Sequence, residues 1–166
     1  MSDSATRGSR ATLRLQGCGC MAHATSTGYY TGSMHILILG CGRVGARLAN
    51  TMHRAHEITV IDRSLDAFER LDADFSGHTI VGPGDDPDVL VRAGIRRADA
   101  FAALTNRDNV NIMTSEMARE LFHVPRVITR IYDQDREDTY HDLGLETVCP
   151  TAEGVRLLEE IVTAVE

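Results

Sequence analysis

A glycine pattern in the first third of the chain constrains its fold more than any other feature. Gly40-Cys41-Gly42-Arg43-Val44-Gly45 has the spacing G-x-G-x-x-G and directly follows the short apolar run 35–39. Such a run is typical of a strand that is buried on both faces of a parallel sheet. Apolar residues then recur at helical spacing, at Val44, Leu48 and Met52. The pattern therefore predicts a tight turn between a strand and a helix.

The same turn has the chemistry of a nucleotide site. Gly40 permits the tight turn, Gly42 lets the backbone approach a pyrophosphate, and Gly45 allows close packing of helix on strand. The helix N-terminus then offers free N–H groups and a positive dipole to phosphates. Asp62 ends the second predicted strand, 17 residues beyond Gly45, and is placed to accept hydrogen bonds from a ribose diol. Its carboxylate would repel a 2′-phosphate, which favours NAD or an adenosine nucleotide over NADP. The alternative is that the glycines only make a turn.

Strand and helix patterns alternate along the rest of the chain. The predicted strands span 35–39, 57–62, 78–81, 98–104, 126–132 and 146–149. The predicted helices span 44–54, 64–74, 87–93, 108–122, 135–143 and 151–166. Six strands alternating with helices predict a doubly wound α/β domain. Its Rossmann-like parallel sheet would have the order 3-2-1-4-5-6, followed by a C-terminal amphipathic helix.

Three of the predicted helices have assigned apolar faces. Ser64 is expected to cap the second helix, with Leu65, Phe68 and Leu71 on one face. The fourth helix is expected to turn Val110, Ile112, Met113, Met117 and Leu121 inward. The last helix has one apolar stripe, made of Val155, Leu158, Ile161, Val162 and Val165.

Further candidate ligand contacts follow the fourth and fifth strands. In a doubly wound sheet, the loops after strands one and four flank the ligand crevice, which makes Thr105 and Asn106 candidates. A loop and helix cap would also explain this pair. Arg130 lies in a strand that is otherwise apolar, so its guanidinium needs a partner: a ligand phosphate, an aspartate or a neighbouring subunit. Functional and structural roles for Arg130 are equally compatible with the sequence.

Residues beside the glycines and Asp62 have open roles. Arg43 is expected to pair with phosphate, the alternative being a plain surface position. Arg63 would either lie over an adenine face or weaken the discrimination against NADP. Cys41 fits a small packed residue better than a redox thiol. The acidic run 85–88 is explained by the start of a helix, which attracts acids, so no metal site is predicted.

The composition excludes several functions. All 17 basic residues are arginine, so there is no lysine for a Schiff base or for a GxxxxGK[ST] phosphate loop. Anions must therefore be held by backbone N–H groups and guanidinium groups. The net charge of −7 disfavours nucleic-acid binding, and no apolar run suits a membrane helix. Residues 1–33 carry +2, so the rest of the chain carries −9, which disfavours docking on anionic lipid. The four cysteines do not form a disulfide framework, which indicates a reducing, cytoplasmic environment.

The sequence divides into three parts. Residues 1–33 are rich in Ser, Thr, Gly and Ala, show no periodicity, and are expected to be a disordered leader or an upstream-start segment. Cys18 and Cys20 within them are expected to be incidental thiols. Residues 34–150 form the predicted nucleotide-binding domain, and 151–166 the C-terminal helix. No second domain with an acid–base residue follows, so the chain is expected to have no catalytic residues and not to be an enzyme.

Several segments together resemble the regulatory TrkA N-terminal domain, also called RCK or KTN, of Trk/Ktr potassium-uptake systems. They are ILGCGRVG, the VID that ends in Asp62, GPGDDPDVLVRAGIRRAD, ALTNRDNVN, the VITRI that contains Arg130, and the run 143–150. The similarity covers essentially 34–166. In the third segment, Asp86 and Pro87 follow Gly84 and Asp85, where many members have Ala-Thr.

The resemblance implies a cytosolic regulatory subunit that binds NAD(H) or ATP/ADP and gates a membrane potassium transporter or channel. The subunit would form homodimers or larger rings, partly through the last helix, and would reach the membrane through its transporter partner. The expected cofactor contacts are Gly40, Cys41, Gly42, Arg43, Val44, Gly45, Asp62, Arg63, Gly84, Asp85, Thr105, Asn106 and Arg130. The alternative function is an NAD-dependent oxidoreductase subunit completed by a partner chain.

Overall fold

The computed structural model describes residues 32–164 of the chain. Six strands alternate with helices: β1 His35–Leu39, β2 Glu57–Asp62, β3 His78–Val81, β4 Ala100–Ala103, β5 Arg126–Arg130 and β6 Glu146–Val148. The α-helices are α1 Arg43–Met52, α2 Pro87–Arg92, α3 Asp108–Glu116, α4 Gln134–Asp142 and α5 Pro150–Thr163. Most of the predicted leader, including Cys18 and Cys20, lies outside the described residues. Val165 of the last predicted helix also lies outside them.

All six strands pair in parallel in the order β3-β2-β1-β4-β5-β6, which confirms the predicted fold. The central strand β1 sets the core, because its successive side chains point to opposite faces of the sheet. Leu37 and Leu39 pack on one face with Phe101, while Ile36 and Ile38 pack on the other. A central strand buried on both faces explains the unbroken apolar run in the sequence.

The predicted helix 64–74 is wrong in type and length. The structure has a 3₁₀ segment, Leu65–Arg70, and Ser64 makes no side-chain cap. The side chain of Asn50 on α1 accounts for the early end, since its Nδ2 donates to the Arg70 carbonyl (3.2 Å) and its Oδ1 accepts from the N–H of Asp72 (3.1 Å), groups that a longer helix would bond internally. Leu65 was expected to face inward and is 69% exposed.

The inward face of the predicted helix 108–122 also differs from expectation. The segment is α3 followed by a π-helical turn, Met117–Leu121, and Met113 and Leu121 are exposed. The buried face is lined instead by Val110 and Ile112 and by polar or small residues, namely Asn111, Thr114, Ser115 and Ala118. Hydrophobic periodicity missed Asn111, for example, because its burial depends on hydrogen bonds to Thr105 and Arg130 that only the tertiary structure reveals.

The remaining differences are small. Most other predicted ends lie within one or two residues of the observed ones. Val44 is 43% exposed and does not face the core, because it lies in the first turn of α1 at an open edge of the sheet. No residue of α5 is buried, and Val155, Leu158, Ile161 and Val162 are all exposed. None of the helices in the described range is both long and apolar enough to cross a bilayer.

Candidate functional site

The glycine turn between β1 and α1 is built for close approach. Gly40 has φ +101°, a left-handed conformation that favours glycine, and a Cβ there would lie 2.9 Å from the backbone nitrogen of Thr105. A Cβ at Gly45 would overlap the carbonyl oxygen of Gly40. At Gly42, by contrast, a Cβ would meet no atom within 4 Å. Gly40 and Gly45 are therefore needed by the fold, whereas Gly42 leaves the backbone open.

The N-terminus of α1 has unpaired donors. Gly42 is the N-cap residue without a side-chain cap, and the first turn contains no acidic residue. The first helical hydrogen bond runs from the N–H of Ala46 to the carbonyl of Gly42 (2.9 Å), so the preceding N–H groups have no acceptor in the helix. Such an end attracts anions through its donors and its dipole.

Asp62 holds the glycine turn from the end of β2. Its Oδ2 accepts from the N–H of Cys41 (2.7 Å) and its Oδ1 accepts from the N–H of Ser64 (3.0 Å). A carboxylate has about four lone-pair sites, so both oxygens retain acceptor capacity for a hydroxyl group. The sequence did not reveal this second role, in which Asp62 ties β2 to the turn after β1.

The thiol of Cys41 is fully buried beneath the turn. Burial, and next the neighbouring Asp62 carboxylate, raise the pKa of Cys41 to about 11, with Arg70 acting in the opposite direction. The thiol is therefore protonated at neutral pH. A protonated thiol is a poor nucleophile, and Cys41 acts in packing.

Arg130, at the end of β5, is a buried cation without a carboxylate partner in the described part of the chain. Its side chain is only 6% exposed. Its Nη2 donates to the carbonyl of Thr105 (2.7 Å), and its guanidinium carbon lies 4.5 Å from the ring centroid of Tyr132. Its Nε has no hydrogen-bond partner within residues 32–164. A buried guanidinium that is only partly satisfied has donors available for an anion.

These groups surround one cavity of about 660 Å³ at the carboxyl edge of the sheet. Eleven of the expected contacts line it, and these are Gly40, Cys41, Gly42, Arg43, Val44, Asp62, Arg63, Gly84, Thr105, Asn106 and Arg130. Gly45 and Asp85 do not line it, because Gly45 packs beneath the turn and Asp85 is exposed in the loop after β3. The structure therefore brings together residues that come from five different strand ends.

Eight further residues line the cavity without having been expected, and they include two arginines. They are Leu39, Ala67, Arg70, Leu104, Arg107, Val110, Tyr132 and Pro150. Arg107 could have been inferred, since it follows Asn106 in the same loop. Arg70 could not, because the 3₁₀ segment that places it was predicted as a longer helix. Among residues 32–164, the wall thus has five arginines, at positions 43, 63, 70, 107 and 130, and a single carboxylate, Asp62.

No cluster of three or more His, Cys, Asp or Glu side chains suited to a metal ion occurs within 32–164. The Cys18 and Cys20 pair lies outside that range. The site offers a set of anion-binding donors and one carboxylate beside a backbone surface lined by glycines. It suits a ligand with phosphates and a diol.

The chain is similar in sequence and fold to known proteins. The family model of the TrkA-N domain matches residues 36–151. The Trk system potassium uptake protein TrkA of Streptomyces coelicolor is 47% identical over 116 residues, which are 69% of this chain and 52% of that protein. The chain spans about half the length of such curated relatives.

Solved structures share the fold. The TrkA-N domain of the inner membrane protein ybaL from Escherichia coli matches with a TM-score of 0.68 and 19% identity, over 79% of this chain and 98% of that one. The GsuK channel bound to NAD matches with a TM-score of 0.67 and 24% identity, over 81% of this chain and 24% of that one. At these identities, the likeness is one of fold.

Proposed function

Since the chain belongs to the TrkA-N domain family, we propose that it binds NAD(H) or ATP/ADP in the arginine-lined cavity and thereby regulates a membrane potassium transporter or channel. The observation that carries the proposal is the meeting of two anion-binding features at one edge of the sheet. The free N–H groups of α1 and the buried guanidinium of Arg130 line the same cavity. Relatives named as potassium uptake proteins, and the GsuK structures bound to NAD and to ADP, support it.

Different groups of the cavity suit different parts of the ligand. The N–H groups at the start of α1 and the open backbone at Gly42 suit the phosphates. Arg130 adds a charge-assisted donor, in a chain that has no lysine to do so. Asp62 retains acceptor capacity for a ribose diol and would repel a 2′-phosphate. This division favours NAD(H) or an adenosine nucleotide over NADP.

A regulatory role suits the cavity better than catalysis. Asp62 is bound to two backbone N–H groups, and the Cys41 thiol is buried and protonated. Neither group is poised to exchange a proton with a ligand. We therefore assign no catalytic residue, and nucleotide binding itself becomes the signal.

The partners follow from the family and from α5. Its exposed stripe, Val155, Leu158, Ile161 and Val162, suits contact with a second copy of the chain in a homodimer or larger ring. The proposed location is cytoplasmic, at the membrane through the transporter. The proposed division of the chain remains the nucleotide-binding domain 34–150 and the helix 151–166, with 1–33 as a leader or an upstream-start segment.

Calorimetric titration of the full chain with NAD⁺, NADH, ATP and ADP tests the binding. We expect at least one of them to bind with a Kd below about 1 mM, as recognition by several charge-assisted hydrogen bonds requires. Gly42→Asp should abolish the binding, because it places a carboxylate in the open space beside the helix N-terminus. Arg97→Gln, at the opposite edge of the sheet, is the matched control and should bind as the unsubstituted chain does. Failure of all four nucleotides to bind at millimolar concentration would contradict the proposal.

Regulation needs a separate measurement. Potassium uptake in cells that contain the chain and its transporter should respond to the nucleotide, and Gly42→Asp should remove the response while Arg97→Gln preserves it. Hydride transfer between NADH and an acceptor, if measured with the chain and a partner, would instead support the oxidoreductase alternative.

A further inference from the structure

We infer that Asn111 is a positioning residue for the nucleotide site: it holds the ends of β4 and β5 together so that the guanidinium of Arg130 is aimed at the phosphates. The inference rests on the proposed function and adds to it a residue that does not itself line the cavity. Asn111 lies on α3, behind the cavity wall, and is fully buried.

Every hydrogen-bonding position of the Asn111 amide is used. Its Oδ1 accepts from the N–H of Thr105 (3.0 Å) and from Oγ1 of Thr105 (2.6 Å). Its Nδ2 donates to the carbonyl of Thr105 (2.9 Å) and to the carbonyl of Arg130 (2.9 Å). An amide has two donors and one oxygen with two lone pairs, so this set is complete.

Three of these four bonds join Asn111 to Thr105, and the side chain of Arg130 also bonds to Thr105. The carbonyl of Thr105 accepts both Nδ2 of Asn111 and Nη2 of Arg130 (2.7 Å). Asn111 thus fixes that carbonyl, and the carbonyl in turn fixes one end of the guanidinium. The fourth bond fixes the backbone of Arg130 itself. Both ends of the Arg130 side chain are therefore anchored through a single buried amide.

The sheet alone does not provide this anchoring. The registered pairing of β4 with β5 ends at Ala103 and Thr129, two residues before Thr105 and one before Arg130. Beyond that point β4 and β5 have no further registered pair, and their backbone groups need other partners. Asn111 supplies those partners where the strands enter the cavity wall. An aliphatic residue at position 111 could fill the volume. It would remove the hydrogen bonds that Asn111 makes to the N–H and carbonyl of Thr105 and to the carbonyl of Arg130.

The test is a double-mutant cycle between Asn111→Ala and Arg130→Gln, measured by titration with adenosine, AMP and ADP. Adenosine reports on the nucleoside contacts, and the ratio of ADP affinity to adenosine affinity reports on the phosphate contacts. We expect Asn111→Ala to lower that ratio about tenfold, in line with a lost charged hydrogen bond, and to change adenosine binding by less than about twofold. Arg130→Gln should lower the ratio to a similar extent, and the double variant should lower it no further.

Thr114→Val is the matched control. Thr114 is equally buried on the same helix, but its Oγ1 donates only to carbonyls of that helix, Val110 (2.7 Å) and Asn111 (3.1 Å). It should lower the melting temperature while leaving the ratio unchanged. Asn111→Ser, which keeps a polar group, replaces Asn111→Ala in the cycle if the alanine variant does not fold.

The outcomes are distinguishable. Equal losses of adenosine and ADP affinity, or losses that multiply in the double variant, would show that Asn111 is merely structural and overturn the inference. If the unsubstituted chain binds none of the three ligands, the inference is overturned together with its basis. If it binds them and only the cycle fails, nucleotide binding stands and the positioning role does not.

Discussion

The two edges of the sheet treat charge in opposite ways. At the amino edge, charged side chains bind within the molecule: Arg97 pairs with Glu57 (3.2 Å), and Asp99 accepts from the N–H of His35 (2.8 Å). At the carboxyl edge, five arginines face one cavity, and none of them forms an ion pair with a carboxylate of residues 32–164. Arg97 and Asp99 at the amino edge thus have partners within the molecule, whereas the five cavity arginines have no carboxylate partner among residues 32–164.

The difference indicates that, in this parallel sheet, stabilising ion pairs and candidate binding groups lie at opposite edges. Because all strands run in the same direction, their carboxyl ends and the N-terminus of α1 meet at one edge, where the backbone already has a positive bias. The five arginines of the cavity wall add positive charge at this edge, although the chain has a net charge of −7. The contrast can be tested by substitutions and by pH.

The largest expected effect is a difference in the free energy of unfolding between substitutions at two glycines of the carboxyl edge. Gly45→Ala should lower the free energy of unfolding by about 3 kcal/mol, because its Cβ would overlap the Gly40 carbonyl oxygen. Gly42→Ala should lower it by less than about 1 kcal/mol, since the added methyl group enters open space. Urea unfolding of both variants measures the difference. Equal losses would contradict the division between a folding glycine and a binding glycine.

Alkaline pH should weaken the carboxyl edge through Cys41. The pKa of Cys41 is about 11 in the folded chain, and burial is the main cause. The unfolded chain loses this proton first, so stability should be retained below pH ~9 and should fall on the order of 2 kcal/mol as the pH rises to ~11. The absence of lysine leaves thiols and tyrosines as the side chains that titrate there.

Cys41→Ala provides the comparison for that pH dependence. Its unfolding free energy, measured in urea from pH 8 to pH 11, should fall less steeply than that of the unsubstituted chain. Parallel curves for the two proteins would mean that other groups, and not Cys41, govern alkaline stability.

The smallest effect compares arginines at the two edges. Arg97→Gln should cost about 0.5 kcal/mol or less, because its pair with Glu57 is exposed to solvent. Inorganic pyrophosphate, at about ten times its Kd for the unsubstituted chain, should raise the melting temperature of that chain and of Arg97→Gln by about 4 °C. Arg130→Gln should show a clearly smaller rise. Differential scanning fluorimetry suffices, and the same rise in all three proteins would remove the distinction between the edges.

Much of the fold was open to prediction because it depends on local patterns. The apolar run 35–39, the glycine turn and Asp62 lie within a short stretch, and together they specify a strand, a helix and a parallel neighbour. The strand order was then predicted as the usual one of a doubly wound sheet with right-handed crossovers. The early end of the segment Leu65–Arg70 was missed because the side chain of Asn50, from a different element, bonds to the backbone there.

The candidate site divides in the same way. Residues next to strand ends, such as Gly42, Thr105 and Arg130, were found because a parallel sheet brings its strand ends together. Arg70 and Asn111 were not, since the first depends on the 3₁₀ segment and the second lies behind the wall.

By itself, the sequence determined a nucleotide-binding type of α/β domain and a cation supply made only of arginine. These are properties of spacing and composition. Only the tertiary structure decided that Arg130 is buried without a carboxylate partner in the described chain, and that Asn111 anchors it from behind. The physical reason is that hydrogen-bond partners of a buried group are set by which elements meet in space, which local patterns do not contain.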